Sequence, residues 1–190
     1  MDLGIEGKVA IVTGGSNGIG RAAAERLSME GALVAVVSRT QSDLDQVALE
    51  ISELSGNEVL GIAADVSDEK SVESMVRVVA RKWNRIDILV NNAGIGKMGY
   101  LEQLSAADIE KVLATNLLGH ILGTKHCLPV MKQHHAYSDL IFIGSESARQ
   151  GGKEGSVYCA SKFGLRGFAQ SLRPECAKAG VRVNLINPGA

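Results

Sequence analysis

The feature that most constrains the fold of this chain is a regular alternation of short apolar runs with longer segments of helical period. The runs are continuous and rich in β-branched residues, which is typical of strands buried on both faces. Six such runs separated by five helical segments predict an α/β fold, a doubly wound parallel sheet of the Rossmann type with helices on both faces. The predicted strands are residues 8–12, 33–37, 59–63, 88–90, 140–143 and 181–186, and the predicted helices are 19–30, 42–56, 68–83, 107–133 and 157–179.

The size and charge of the chain narrow its class further. Its 190 residues contain no repeat, linker or low-complexity segment, so we expect 1–190 to form a single domain. Lys and Arg number 20 and Asp and Glu 21, a formal net charge of −1. Proteins that bind nucleic acids or anionic membranes usually have an excess of Lys and Arg, so neither is an expected partner. Three scattered cysteines and an N-terminus without a leader pattern indicate a cytoplasmic protein.

A glycine-rich turn separates the first predicted strand from the first predicted helix. Glycine lets the backbone approach a pyrophosphate closely, and a helix N-terminus offers it free N–H groups. The turn therefore predicts a dinucleotide phosphate site, although a purely structural tight turn is the alternative. Its spacing is not G-x-G-x-x-G, and no Lys-Ser/Thr pair follows that would make it a P-loop. The candidate binding residues are Gly14, Ser16, Asn17, Gly18, Ile19 and Gly20.

The end of the second predicted strand bears on the choice of cofactor. An acid at this point accepts a hydrogen bond from a ribose 2′-hydroxyl, whereas a cation pairs with a 2′-phosphate. The sequence places Ser38 and Arg39 here, with no acid before Asp43. The guanidinium of Arg39 offers a fork of donors to a phosphate, which favours NADP(H) over NAD(H). A surface arginine without a ligand is the alternative.

Four further side chains form a candidate catalytic set. Tyr158 and Lys162 are four residues apart, which places them on one face of a helix. Ser145 follows the fifth predicted strand, and Asn116 falls on the apolar face of its helix, where an amide must be hydrogen-bonded. Taken singly, these residues also suit a surface pair, a helix cap and a core amide.

Taken together and in order, these motifs closely resemble the short-chain dehydrogenase/reductases, in their single-domain branch that includes 3-oxoacyl-ACP reductase-like carbonyl reductases. The resemblance covers essentially all 190 residues. Each motif alone is modest, but their order and spacing are specific. The matching residues are Thr13-Gly14-x-x-x-Gly18-Ile19-Gly20, Asn91-Asn92-Ala93-Gly94, Asn116, Ser145, Tyr158-x-x-x-Lys162 and Asn187-Pro188-Gly189.

The resemblance implies a hydride transfer between NADP(H) and a carbonyl or secondary alcohol, with Tyr158 as the acid/base. A tyrosine hydroxyl holds its proton at neutral pH, so it needs a nearby cation to act as a base. One cation at about 4 Å supplies about 4 kcal/mol at an effective dielectric constant of about 20. Lys162 would be that cation and would also bind the nicotinamide ribose. Ser145 would hold the substrate oxygen, and Asn116 would hold a water on a proton path to Lys162.

The resemblance also implies the rest of the cofactor site and the assembly. Asp65 would contact the adenine and Val66 would supply a backbone N–H. Relatives form homodimers and homotetramers, the dimer through the helices that carry Asn116 and Tyr158. The remaining implied cofactor contacts are Asn92, Ala93, Gly94, Tyr158, Lys162, Pro188 and Gly189.

Two departures from the family pattern leave alternatives open. Glu146 stands between Ser145 and Ser147, where many members have a second serine beside the catalytic one. Members also continue past the Pro-Gly turn into a substrate lid, a helix and a seventh strand. We therefore expect a C-terminally incomplete domain whose last strand, 181–186, lies at an exposed apolar edge. A catalytically impaired nucleotide-binding relative (a redox sensor or scaffold) and a truncated form without turnover remain alternatives to the carbonyl reductase.

The histidines indicate no metal site. None of them has metal-ligand spacing with nearby acids or cysteines, so the predicted site contains no metal. The four are His120, His126, His134 and His135.

Overall fold

The strands of the computed structural model, which describes residues 3–133 and 137–189, follow the predicted apolar runs. Each strand agrees with its predicted bounds to within two residues. All pairings are parallel, as expected for runs without polar alternation. The strands are β1 Val9–Thr13, β2 Leu33–Ser38, β3 Val59–Ala63, β4 Ile88–Asn91, β5 Ser138–Ile143 and β6 Val181–Ile186.

The sheet has the order β3-β2-β1-β4-β5-β6, which confirms the doubly wound fold. The chain runs outward from β1 to β3 and then crosses back to place β4 on the other side of β1. The strand order reverses between β1 and β4, and ligands of such sheets bind at this point beyond the carboxyl ends of the strands. The Gly turn after β1 and the Asn-Ala-Gly segment after β4 lie there.

Helices cover both faces of the sheet, as predicted. Because strand side chains alternate between faces, Val9 and Ile11 of β1 belong to one core cluster, and Ala10 and Val12 to the other. Helices α1 and α2 pack on the second cluster, while α3, α5 and α6 pack on the first. The helices are α1 Gly18–Met29, α2 Gln41–Ser55, α3 Glu69–Trp83, α4 Ala106–Leu113, α5 Gly119–Met131 and α6 Ser156–Ala177.

The predicted helix 107–133 differs most from the structure. It is divided into α4 and α5 by a π-helical segment, Ala114–Leu118, which contains Asn116. One extra residue per turn rotates the following side chains about the helix axis, and such segments occur often at functional sites. Apolar periodicity spans this interruption without revealing it, which is why the sequence indicated one continuous helix.

The predicted edge position of the last strand is also confirmed, but its surface is less apolar than expected. Val181 and Val183 are buried against the sheet's helical layer, whereas Arg182 and Asn184 are exposed. Ile186 is the half-exposed apolar residue of this strand.

Among the helices in the described part of the chain, none combines the length and apolarity needed to cross a membrane.

Candidate active site

The carboxyl ends of β1 and β4 are joined by the side chains of Thr13 and Asn92. The Thr13 Oγ1 atom accepts hydrogen bonds from the backbone N–H groups of Asn92 and Ala93, at 3.0 and 3.2 Å. The Asn92 amide Nδ2 donates to the carbonyl oxygens of Thr13 and Gly14, at 2.9 and 3.1 Å. These bonds hold the glycine turn and the segment after β4 against each other at the switch point.

Two glycines of the turn, Gly14 and Gly20, leave no room for a side chain against Asn92. Gly14 has a φ of +64°, and a Cβ there would lie 2.9 Å from Asn92 Nδ2. A Cβ on Gly20 would collide with the Gly14 carbonyl oxygen and with Asn92 Nδ2. The turn and the first helical turn of α1 are therefore packed directly on Asn92, with no room for a side chain between them.

The N-terminus of α1 is open toward this turn. Asn17 is its N-cap residue, yet the Asn17 side chain makes no capping hydrogen bond, and the first turn contains no acidic residue. The first N–H groups of a helix have no partner within the helix, and they carry a partial positive charge. This end of α1 suits an anionic group such as a pyrophosphate.

A cavity of about 310 Å³ extends from the glycine turn past the ends of β2 and β3. Two cations, Arg39 and Lys111, and one acid, Asp65, line it. The pKa of Asp65 is lowered, first by hydrogen bonds from the Ser67 side chain and backbone, and further by the charges of Arg39 and Lys111. Asp65 is therefore ionised at neutral pH, and the cavity keeps one cation in excess.

A second cavity, of about 530 Å³, lies beyond the ends of β4 and β5 and shares Gly94 and Ile95 with the first. Ser145, Tyr158 and Lys162 all line it. The fold thus brings together three residues that are up to 17 positions apart in the sequence. The other lining residues are Ile19, Asn92, Gly96, Met98, Ile143, Gly144, Glu146, Ser147, Pro188 and Gly189.

Lys162 is the most strongly perturbed cation of the second cavity. It is 4% exposed, and burial lowers its pKa from 10.5 to about 8. Its Nζ atom donates to the Ile143 carbonyl oxygen at 2.9 Å and lies 5.7 Å from the centre of the Tyr158 ring. An ammonium that is buried beside a phenol, with one protein partner, can stabilise a developing phenolate.

Ser145 is positioned by the last described residues of the chain. Its backbone N–H donates to Asn187 Oδ1 at 3.2 Å, and the next N–H, of Glu146, donates to the Pro188 carbonyl oxygen at 3.0 Å. The Ser145 Oγ atom accepts from the N–H of Ser147 at 3.1 Å. Ser145 lines the second cavity, and its hydroxyl can still donate a hydrogen bond.

Asn116 lies behind the second cavity and lines neither cavity. Its Oδ1 accepts from the Ile95 N–H at 2.8 Å, and its Nδ2 donates to the Ile95 carbonyl at 2.9 Å and to Ser161 Oγ at 3.2 Å. Ser161 in turn donates to the Tyr158 carbonyl at 2.7 Å. The side chain is therefore fully used in joining the loop after β4 to the Tyr158 helix.

The structure brings nearly all of the sequence-predicted residues to these two cavities. Apart from Asn116, only Gly18 and Gly20 of that set are absent from the cavity walls, and both shape the turn that carries the other residues. Sequence reasoning missed six residues of the first cavity: Val37, Ala64, Ser67, Ile95, Lys111 and Thr115. Lys111 and Thr115 are four residues apart, which places them on one helical face, and this spacing could have linked the two.

A buried histidine next to the site is unlike a metal ligand. His120 Nε2 lies 2.8 Å from the Ala93 carbonyl oxygen, which can only accept, so Nε2 carries the hydrogen. Burial lowers its pKa from 6.5 to about 4, despite that bond, with a smaller effect of Lys162. In the part of the chain that the structure describes, no three His, Cys, Asp or Glu residues are grouped for a metal ion, and His134 and His135 lie outside that part.

A doubly wound sheet with this glycine turn and a Ser–Tyr–Lys set in one cavity defines the class of nicotinamide-dependent dehydrogenases. The family model for short chain dehydrogenases matches residues 8–190. The chain is 39% identical over 188 residues to tropinone reductase-like 2 of Erythroxylum coca, covering 97% of this chain and 66% of that protein. It is 36% identical to the 3-oxoacyl-[acyl-carrier-protein] reductase of Escherichia coli strain K12, covering 98% of this chain and 75% of the relative.

A solved structure of L-sorbose reductase from Gluconobacter frateurii, complexed with NADPH and L-sorbose, superposes with a TM-score of 0.96 at 33% identity. It covers all of this chain, which spans 72% of that protein. This chain therefore belongs to the short-chain dehydrogenase family. It spans about two thirds of the length of the tropinone reductase-like relative.

Proposed function

We propose that this chain binds NADP(H) across the two cavities and transfers a hydride between it and a carbonyl or secondary alcohol. The observation that carries the proposal is the second cavity, in whose wall Ser145, Tyr158 and Lys162 meet beside the glycine turn. A nicotinamide, when bound, supplies or accepts the hydride. A dinucleotide fits the two connected cavities because each holds one end and the open N-terminus of α1 lies between them.

In the reduction direction, the Tyr158 hydroxyl gives its proton to the substrate oxygen as the substrate carbon gains the hydride. The buried ammonium of Lys162 stabilises the phenolate that remains. The Ser145 hydroxyl donates to the same substrate oxygen and stabilises the negative charge that develops there. In the oxidation direction, the phenolate takes the alcohol proton. Asn116 keeps the loop after β4 and the Tyr158 helix in register through Ile95 and Ser161.

The test of this mechanism is NADPH oxidation with diketones, acetoacetyl thioesters and simple ketones. We expect Tyr158→Phe to lose at least a hundredfold in kcat, the usual scale of a positioned acid. Tyr137→Phe, at an exposed tyrosine away from both cavities, is the matched control and should keep full turnover. Unchanged turnover in Tyr158→Phe would contradict the mechanism. Cofactor binding without turnover of any carbonyl would favour the nucleotide-binding relative instead.

NADP(H) is proposed over NAD(H) because Arg39 lines the first cavity and Lys111 adds a second cation there. A charge-assisted bond to a phosphate contributes about 1.5–3 kcal/mol, or roughly ten- to a hundredfold in affinity. Arg39→Ala should therefore weaken NADPH binding by that factor and leave NADH binding unchanged, as measured by isothermal titration. Arg81→Ala, on the outer surface of α3, is the control. A loss of NADH rather than NADPH affinity would refute this role of Arg39.

We further propose a homodimer through the α4–α5 and α6 surface. Three large apolar side chains are exposed on these neighbouring helices, Leu113 and Leu118 on one and Phe163 on the other. Exposed apolar groups on adjacent elements are typical of a protein interface. Light scattering should give a dimer mass that Leu118→Glu reduces to that of a monomer. A monomeric wild type would contradict this assembly.

A further inference from the structure

The carboxylate of Glu146 adds a negative charge to the wall of the second cavity, which the Lys162 ammonium also lines. Its Oε2 atom lies 3.9 Å from the point that a Cβ on Gly189 would occupy. Within residues 3–133 and 137–189, this carboxylate has neither a hydrogen-bond donor nor a cationic partner. Its backbone is fixed, because its N–H donates to the Pro188 carbonyl and its peptide opens the short helix Glu146–Ala148. The start of the side chain is therefore held at this rim, and its carboxylate stays within one side-chain length of it.

The chemistry of the proposed reaction places the nicotinamide ring in the same cavity. The hydride and the proton go to the two atoms of one carbonyl, so the hydride carrier and the Tyr158 hydroxyl must both reach the same substrate. Tyr158 lines this cavity, whereas Arg39 and Asp65 line the other. The ring and the carboxylate of Glu146 are therefore in one space, a conclusion that rests on the proposed function.

The two redox states of the cofactor differ in charge at this ring. The oxidised nicotinamide is a cation and the reduced one is neutral, so a fixed charge in the cavity acts on one state only. Lys162, the other fixed charge of this cavity, disfavours the cationic ring. A carboxylate in the same cavity offsets that repulsion. We propose that Glu146 favours binding of the oxidised cofactor over the reduced cofactor at this site.

The size of the effect follows from the exposure of Glu146. This side chain is exposed, so solvent screens its attraction for the ring. Exposed ion pairs of this kind correspond to about 1.4- to fivefold in an equilibrium constant. We expect the ratio of the NADPH to the NADP⁺ dissociation constant to fall by that factor when the charge is removed.

The experiment compares wild type, Glu146→Gln and a matched control, Glu154→Gln, by isothermal titration with NADP⁺ and with NADPH. Glu154 carries the same charge, lies on the same side of β5 and lines neither cavity. Titration needs no substrate, so it separates this effect from turnover. Far-ultraviolet circular dichroism verifies that all three proteins are folded.

The expected result is a loss of NADP⁺ preference of about 1.4- to fivefold in Glu146→Gln alone, with a smaller loss in high salt. An unchanged ratio in Glu146→Gln, or an equal change in Glu154→Gln, would overturn the inference and leave the proposed function standing. If wild type binds neither form of the cofactor, the proposed function fails and the inference fails with it.

Discussion

The buried ammonium of Lys162 should lower the stability of the free protein. The drop in its pKa from 10.5 to about 8 corresponds to about 3 kcal/mol that the folded state loses at neutral pH relative to an unshifted lysine. Replacing it by methionine keeps an unbranched apolar side chain that is one atom shorter, and removes the charge. The Ile143 carbonyl then loses its donor, which costs about 1 kcal/mol. We therefore expect the free energy of unfolding of Lys162→Met to be about 2 kcal/mol higher than that of wild type. The variant should also lose turnover.

The pH dependence of this difference has a definite sign. Between about pH 8 and 10.5 the unfolded chain holds the Lys162 proton and the folded chain has released it. Wild type gains stability as pH rises through this range, because the unfolded state binds more protons. The methionine variant lacks this contribution. The difference in the free energy of unfolding between the two proteins therefore becomes smaller from pH 8 upward.

Urea unfolding, followed by circular dichroism at pH 7 and at pH 9.5, measures the difference in the free energy of unfolding and its change with pH. A chain of this size shifts its melting temperature by about 2–4 °C per kcal/mol, so the variant should melt about 4–8 °C higher. Lys111→Met is the matched control because Lys111 is exposed, and it should change the free energy of unfolding by less than about 0.5 kcal/mol. A variant that is less stable than wild type at pH 7 would refute the reasoning.

Two further predictions concern residues beside the glycine turn. The pKa of His120 is about 4 in the folded protein and 6.5 in the unfolded chain. Between these two values the unfolded chain binds a proton that the folded protein does not, so the free energy of unfolding falls as the pH is lowered. From pH 7 to 5, wild type should lose about 2 kcal/mol more than His120→Gln, as measured by urea unfolding, and equal losses would refute this. Gly20→Ala should weaken cofactor binding at least tenfold in isothermal titration, because its Cβ meets the Gly14 carbonyl and Asn92. Gly167→Ala is the control, because a Cβ there meets no other atom, and it should bind the cofactor as wild type does. Normal cofactor binding by Gly20→Ala would refute the prediction.

Much of the fold could be predicted because its signals are local. Continuous β-branched runs at β1, β2 and β3 match the structure to within one residue. The residues of β1 and most of β2 are buried, whereas β3, at the edge of the sheet, is only partly buried. The π segment at Asn116 could not be predicted, because apolar side chains recur at similar intervals with or without one inserted residue. Asn116 itself was identified as a buried amide, but its partner, the backbone of Ile95, comes from a loop 21 residues away.

By itself, the sequence determined the order of strands and helices and the residue types at the ends of the strands. It also placed Tyr158 and Lys162 on one helical face, because helical period depends on neighbours in the chain. Only the tertiary structure decided what Thr13 and Lys162 do. The hydrogen bond that the Asn92 N–H donates to Thr13 Oγ1 spans 79 residues and depends on β1 pairing with β4. The lowered pKa of Lys162 depends on water being excluded by β5 and by the loop at Gly94, which are distant in sequence.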